Sequence, residues 1–129
     1  LSTGRSALVH SARGPADPRL PAFRAAVAQL GLGEATANRQ IGQALGDILA
    51  ALWRETGLRR LVISGGDTSG EGARKLGLRA LTALAETVPG AALCTGHLTD
   101  GGKVEIALKG GQMGTTDYFG RIRAGGGGD

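Results

Sequence analysis

Short apolar runs that suit strands alternate along this chain with longer stretches whose apolar residues return at helical spacing. The run "ALVH", residues 7–10, reads as a short buried strand. Behind it the loop "SARGPADPRLP" carries Pro15, Pro18 and Pro21, which delay any helix. "AFRAAVAQLG" then predicts an Ala-rich helix closing at Gly31. "TANRQIGQALGDILAALWRETG" predicts the strongest helix of the chain, with Thr36 or Asn38 capping its start and Gly57 its end. Within it Ile41, Leu45, Ile48, Leu49 and Leu52 fall on one face, expected to be core. "RRLVIS" has the β-branched, apolar character of a strand buried on both sides of a parallel sheet. "TSGEGARKLGL" is compatible with a short helix starting near Thr68, and "RALTAL" with another strand. In "KVEIALKG", Val104, Ile106 and Leu108 alternate inward while Glu105 and Ala107 point outward. A last helix is expected from Thr115 or Thr116. Strand and helix alternating in this way predict an α/β fold: a mostly parallel sheet with helices on both faces, a Rossmann-like three-layer arrangement.

Composition narrows the picture. The 129 residues suit one domain, residues 1–123, followed by a glycine-rich tail, 124–129, that reads as flexible. With 41% hydrophobic residues and no apolar run of about 18, the chain predicts no membrane span. Its opening "LSTGRSALVH" lacks the pattern of a signal peptide and reads as the interior of a longer chain. The single Cys94 has no internal partner, which suits a reducing cytoplasm. The net charge of +4 is spread along the chain, and one Trp, one Tyr and two Phe leave few stacking platforms, so nucleic acid is not the expected partner. A small polyanion suits a mildly basic domain better. His10, His97 and Cys94 lack metal-ligand spacing, so no metal centre of the protein's own is expected; nor does any G-x-S-x-G nucleophile elbow occur.

Two segments share one design: an apolar strand, a glycine-rich turn, hydroxyl residues and a helix start. They are "LVISGGDTSGEG" and "IALKGGQMGTTDYF". In α/β sheets ligands collect beyond the carboxyl ends of strands, where helix N-termini offer unpaired N–H groups, and phosphate is the natural guest. Gly65, Gly66, Gly110, Gly111 and Gly114 let the backbone come close; Thr68 and Ser69 add hydroxyl donors. Each turn taken alone more often marks a tight turn and a helix cap; the two together favour phosphate. The spacing is not a P-loop, since Glu71 and Gly72 stand where Lys and Ser or Thr belong, and "GGDTSG" is not a dinucleotide fingerprint. If both turns serve one ligand, "RRLVIS" and "KVEIALK" must lie near each other in one sheet, parallel, with a cleft between residues 65–69 and 110–114.

The motifs "LVHSARGPAD", "LVISGGDTSG" and "ALKGGQMGTTDYF", in that order, make the chain resemble the carboxyl-terminal nucleotide-binding domain of the four-carbon acid sugar kinases over nearly its whole length. The resemblance implies a part of a two-domain enzyme that uses ATP and Mg²⁺ to phosphorylate a hydroxyl of a sugar acid such as threonate or erythronate, the acid being held mainly by a missing N-terminal domain. It implies a phosphate-facing turn of Gly65, Gly66, Asp67 and Thr68, with Ser69 and Gly70 beginning the helix and Gly111 and Gly114 along the nucleotide. Asp67 stands where many relatives carry Glu and reaches Mg²⁺ only through a water. Lys109 is either a phosphate partner or a strand-end charge. Asp117 is either a helix-start carboxylate or a group near the transferred phosphate, and Arg13 either meets phosphate or closes its loop. A homo-oligomer is compatible with this reading. The competing class is a non-catalytic interaction module whose glycine turns are structural.

Overall fold

A computed structural model describes residues 4–126. Its elements are α1 (Leu20–Gln29), α2 (Glu34–Thr56), β1 (Arg60–Ser64), α3 (Gly66–Leu76), β2 (Leu78–Val88), β3 (Ala91–Leu98), β4 (Lys103–Lys109) and α4 (Tyr118–Ala124). The four strands form one sheet in the order β1-β4-β3-β2. Only β1 and β4 are parallel; β4 with β3 and β3 with β2 are antiparallel. The sheet is therefore mixed, not mostly parallel. The links dictate this, because β2 turns into β3 through Pro89 and Gly90, the latter at φ 81°, and β3 into β4 through residues 99–102, where Asp100 accepts the Gly102 N–H at 2.8 Å. Connections this short can join only antiparallel neighbours. Between β1 and β4, by contrast, lie a helix and a hairpin, ample for the crossover that parallel strands need.

Strand alternation sorts the core onto two faces. Leu61, Ile63, Val104, Ile106 and Leu98 point to the side carrying α2 and α3, with Ala50 and Leu76 closing over them. Ala107 and Leu93 point the other way and meet Tyr118 and Ile122 of α4. Ala107 is thus fully buried, contrary to the outward position its alternation predicted, because α4 folds back across that face. The two turns of α4 run along this face from Tyr118, beside Lys109, toward Ile122. At the other end Arg60 reaches Glu105 through Nε at 2.7 Å and donates to the Ile122 carbonyl at 2.7 Å, tying β1 to the end of α4.

α2 seats itself on α3 through small residues. Its buried positions are Ala37, Gly42, Gly46 and Ala50, while Ile48 of the expected leucine-isoleucine face is 43% exposed and Ile41, Leu45, Leu49 and Leu52 are only half-buried. A Cβ at Gly46 would lie 3.2 Å from the Gly72 Cα, and one at Gly42 3.0 Å from the Glu71 Cγ, so the two helices approach to backbone distance. Large side chains at these positions would hold α3 away from the sheet, and with it the turn at its start. α2 begins after Gly33 with no side-chain cap, not at Thr36 or Asn38, and it ends as expected at Gly57 with φ 63°. Residues 7–10 form no strand: Leu8 and Val9 are 66% and 51% exposed, and no sheet edge pairs with them. Ala124 closes α4, and the Gly126 N–H bonds to the Arg121 carbonyl at 2.9 Å; residues 127–129 lie outside the described residues.

Candidate functional site

The parallel pair β1 and β4 brings the two glycine turns together. Ser64 pairs with Lys109 at the carboxyl end of the ladder, and one step on the Gly65 N–H donates to the Lys109 carbonyl at 2.9 Å. A Cβ on Gly111 would lie 3.8 Å from the Gly65 Cα. Both turns therefore sit side by side on one rim, with strand ends pointing the same way.

The first turn is a helix start with almost nothing in front of it. Gly65 is the N-cap of α3 at φ 131°, ψ 140°, a conformation closed to L side chains, and this sharp exit lets the helix begin at Gly66 instead of Thr68. Residues at the first positions of a helix have N–H groups without intrahelical acceptors, and the peptide dipoles add partial positive charge there. Gly66 and Asp67 are exposed, and a Cβ on Gly66 would meet nothing. Thr68 is half-buried, its hydroxyl folded toward Gly65. Ser69 is placed differently from its neighbours: its N–H already bonds to the Gly65 carbonyl at 2.9 Å, and its Oγ is buried without a hydrogen-bond partner. Glu71, one turn further, is buried between α3 and α2 and forms an ion pair with Arg74 through one carboxylate oxygen.

The second turn is organised from within. Lys109 is 9% exposed, and its Nζ donates to the carbonyls of Met113 at 2.7 Å, Gly110 at 3.0 Å and Gly111 at 3.4 Å. The ammonium also lies 5.4 Å from the centre of the Tyr118 ring. Gly114, at φ 96°, packs on that ring, where a Cβ would come within 3.1 Å of Cδ2. Met113 anchors the loop to the β2–β3 hairpin at Gly90. Asp117 is the N-cap residue of α4 and exposed; the Thr115 hydroxyl donates to its carboxylate and is the main reason its pKa lies below the usual range. With Thr115 and Asp117 engaged in this turn, the helix starts at Tyr118, later than the sequence suggests. Met113 and Tyr118 are the organising residues that sequence reasoning misses; their signal is one large apolar side chain inside a glycine loop and one aromatic ring just after it.

The rim is an open shelf and not the cleft expected from sequence. Gly66, Asp67, Gly111, Gln112 and Gly114 are all exposed. A surface cavity of about 410 Å³ lies at the opposite, amino ends of β1 and β4, against Trp53, Arg59, Lys103 and Glu105. Another of about 320 Å³ lies between α1 and α2, lined by Phe23, Val27, Leu30 and Ile41 among others. In the loop before α1 the Arg13 backbone N–H donates to Asp17 Oδ2 at 2.8 Å. Asp17 is the hub there: side-chain bonds from Arg19, then the N–H groups of Arg13 and Arg19, hold its carboxyl far below the usual range. His97 shares a 2.9 Å hydrogen bond with Thr82, and burial pushes the Cys94 thiol up, away from reactivity. Among the described residues no three His, Cys, Asp or Glu side chains cluster as metal ligands, and no helix is long and apolar enough to cross a membrane.

Known proteins resemble this chain in sequence and fold. Residues 1–119 match the sequence model of a family described as a nucleotide-binding C-terminal domain. A 3-oxo-isoapionate kinase of Paraburkholderia graminis is 41% identical over 127 residues, 97% of this chain and 27% of that protein. A 3-oxo-tetronate kinase of Pseudomonas fluorescens is 37% identical over 68% of the chain and 20% of its own length, and one of Cupriavidus necator is 36% identical over 70% and 20%. The chain thus spans about a quarter or less of the curated relatives it matches. Among solved structures, a chain from Salmonella typhimurium LT2 provisionally called a tRNA synthase superposes with a TM-score of 0.56 at 31% identity, over 78% of this chain and 23% of its own. With a family match over nearly all of its length and kinases of four-carbon sugar acids among its relatives, the chain belongs to the nucleotide-binding C-terminal domain family of the four-carbon acid sugar kinases.

Proposed function

We propose that residues 1–123 are the ATP-binding domain of a longer kinase that phosphorylates a hydroxyl of a small sugar acid, of the 3-oxo-tetronate or threonate type, in the cytoplasm. One observation carries this reading: parallel β1 and β4 set two glycine turns against each other, with the Gly65 N–H bonded to the Lys109 carbonyl and Gly111 in near contact with Gly65. In phosphoryl transfer the protein contributes positioning and electrostatic stabilisation more than covalent chemistry, and exposed backbone N–H groups at a helix start supply both. The nucleotide phosphates would lie over Gly65, Gly66, Asp67 and Thr68 on one side and Gly111 and Gly114 on the other. Ser69 supports the turn by closing the first helical hydrogen bond.

The residues present fit Mg²⁺ in the way nucleotide sites usually hold it, through one carboxylate and phosphate oxygens instead of a protein cage. Asp67, exposed in the first turn of α3, is the carboxylate that would do this through a water. When bound, the ion would supply charge neutralisation for the transferred phosphoryl group. The acceptor is assigned to the rest of the longer protein, because the curated relatives are four to five times longer than the matched segment, and positioning of the acceptor supplies much of the rate. An RNA-directed role, as the name given to the Salmonella chain would suggest, finds little support in a chain with four aromatic residues whose only tyrosine is buried. Calorimetric titration of the chain with ATP·Mg tests the reading. Saturable binding is expected, with no phosphorylation of any four-carbon acid by this chain alone; absence of binding at millimolar ATP would contradict it and favour an interaction module.

A further inference from the structure

We infer that Lys109 is a positioning residue: a buried cation that holds the second turn's carbonyls inward and thereby presents its N–H groups to the rim. The inference rests on the proposed nucleotide site and assigns its second half a mechanism. The ammonium collects three carbonyls, those of Gly110, Gly111 and Met113, at 3.0, 3.4 and 2.7 Å. Across each trans peptide the carbonyl of one residue and the N–H of the next point in opposite directions. No peptide bond in the described residues is cis. Carbonyls of residues 110, 111 and 113 drawn toward Nζ therefore turn the N–H groups of Gly111, Gln112 and Gly114 away from it. Within residues 110–114 those three are the exposed ones. Successive outward N–H groups form a concavity that suits an anionic oxygen, and one buried positive charge behind it deepens the attraction.

The alternative role for Lys109, a direct partner of phosphate, would require the side chain to leave all three carbonyls and the face of Tyr118. Its exposure of 9% and its ring contact at 5.4 Å place it on the inner side of the loop. The same geometry adds the Gln112 N–H to the site, a donor that no side-chain motif marks. Gly110 and Gly114 lie at either end of the clamped segment, packed on Met113 and Tyr118, so a slackened loop would lose its shape at both ends.

The test separates clamp from ligand without relying on nucleotide. In a Cys94→Ala background, Lys109→Met, Lys109→Gln and Lys109→Cys are compared, the last also after aminoethylation, which restores an ammonium at nearly the original length. First, the amide order parameters of Gly111, Gln112 and Gly114 are measured by NMR with no ligand. In the ammonium-less variants they should fall from about 0.85, typical of rigid backbone, to below about 0.6, and aminoethylation should restore them. Second, ATP·Mg is titrated at two salt concentrations. Affinity should fall roughly tenfold or more, as expected for a lost charge-assisted network, with the salt dependence largely retained because no phosphate-contacting charge has been removed. Unchanged order parameters would overturn the clamp whatever happens to binding. A rigid loop with lost salt dependence would make Lys109 a phosphate ligand and also overturn it. If the parent chain binds no ATP, the nucleotide reading fails, while the order parameters still decide whether Lys109 holds the loop.

Discussion

The two glycine turns stand at the same height on adjacent parallel strands, yet they are built in opposite ways. The turn at Gly65 is shaped by the backbone alone: one glycine at φ 131° breaks the strand, and a helix starts at once with its first N–H groups open to solvent. The turn at Gly110 has no helix behind it until Tyr118 and is shaped by side chains, a buried lysine, an aromatic ring and a methionine. Similar sequence dress, glycines followed by hydroxyl residues, thus conceals two routes to the same property, a patch of backbone donors. A helix N-terminus carries its own field; a loop without one needs a cation inside it.

That contrast can be broken at its strongest point by filling the open side of the helix start. Replacing Gly66 with Val puts side-chain atoms where the added Cβ meets nothing in the protein, so folding should change by less than about 1 kcal/mol, the scale of helix propensity. ATP·Mg affinity should nevertheless drop by about two orders of magnitude or more, since the backbone can no longer be approached. Calorimetry with parallel thermal melts checks both halves. Unchanged affinity would reduce the first turn to a turn.

Seating of the first turn depends on the glycines of α2, whereas the second turn does not touch them. Gly46→Val should destabilise the fold by about 1–3 kcal/mol through overpacking against Gly72 and Lys75. Urea denaturation measures this. In the folded fraction, amide shifts should move at residues 65–68 and stay in place at residues 110–114; the reverse pattern would show that α3 does not carry the first turn.

A smaller effect is expected at Thr68, whose hydroxyl lies near Gly65 and can supply one hydrogen bond to a ligand. Thr68→Ala should weaken ATP·Mg binding by roughly 1 kcal/mol and leave the second turn rigid. Loss of all binding in this variant would mean that the side chain, not the backbone, makes the site.

The smallest effect is a control outside both turns. Asp17 has its pKa lowered by Arg19 and the N–H groups of its loop, so its contribution to stability is present above the ordinary carboxylate value of 3.8 and lost as pH falls below it. Acid titration followed by NMR should show the loop at residues 13–19 loosening only as pH falls well below that value, through the lowered pKa of the folded state, an effect absent in Asp17→Asn. ATP·Mg binding near neutral pH should be the same in both proteins. A nucleotide-dependent shift at Asp17 would extend the site to a loop assigned here a purely structural role.

The elements that carry the rim were legible in the sequence because their signals are local. "RRLVIS" and "KVEIALK" are strands, and the need for one ligand to touch both turns implied their parallel pairing, as found. β3 was not legible: "AALCTGHL" interrupts any alternation with Gly96 and polar residues, and its presence is announced only by Pro89 and Gly90, which form the hairpin turn. Missing that hairpin turned a mixed sheet into a mostly parallel one. On α2, periodicity picked out the large side chains, but contact with α3 selects small ones, and no pattern along a single helix reveals which face a neighbour will approach. The role of Lys109 was equally hidden, since a lysine before glycines reads the same whether it points outward to phosphate or inward to carbonyls.

The central claim, that two differently built turns form one nucleotide site, is tested most directly by titrating ATP·Mg into ¹⁵N-labelled protein and following the amides of both turns together. Shifts at Gly66, Asp67 and Thr68 and at Gly111, Gln112 and Gly114 should saturate along one binding curve with a single Kd. Shifts confined to one turn, two separate curves, or no saturation at millimolar nucleotide would contradict it.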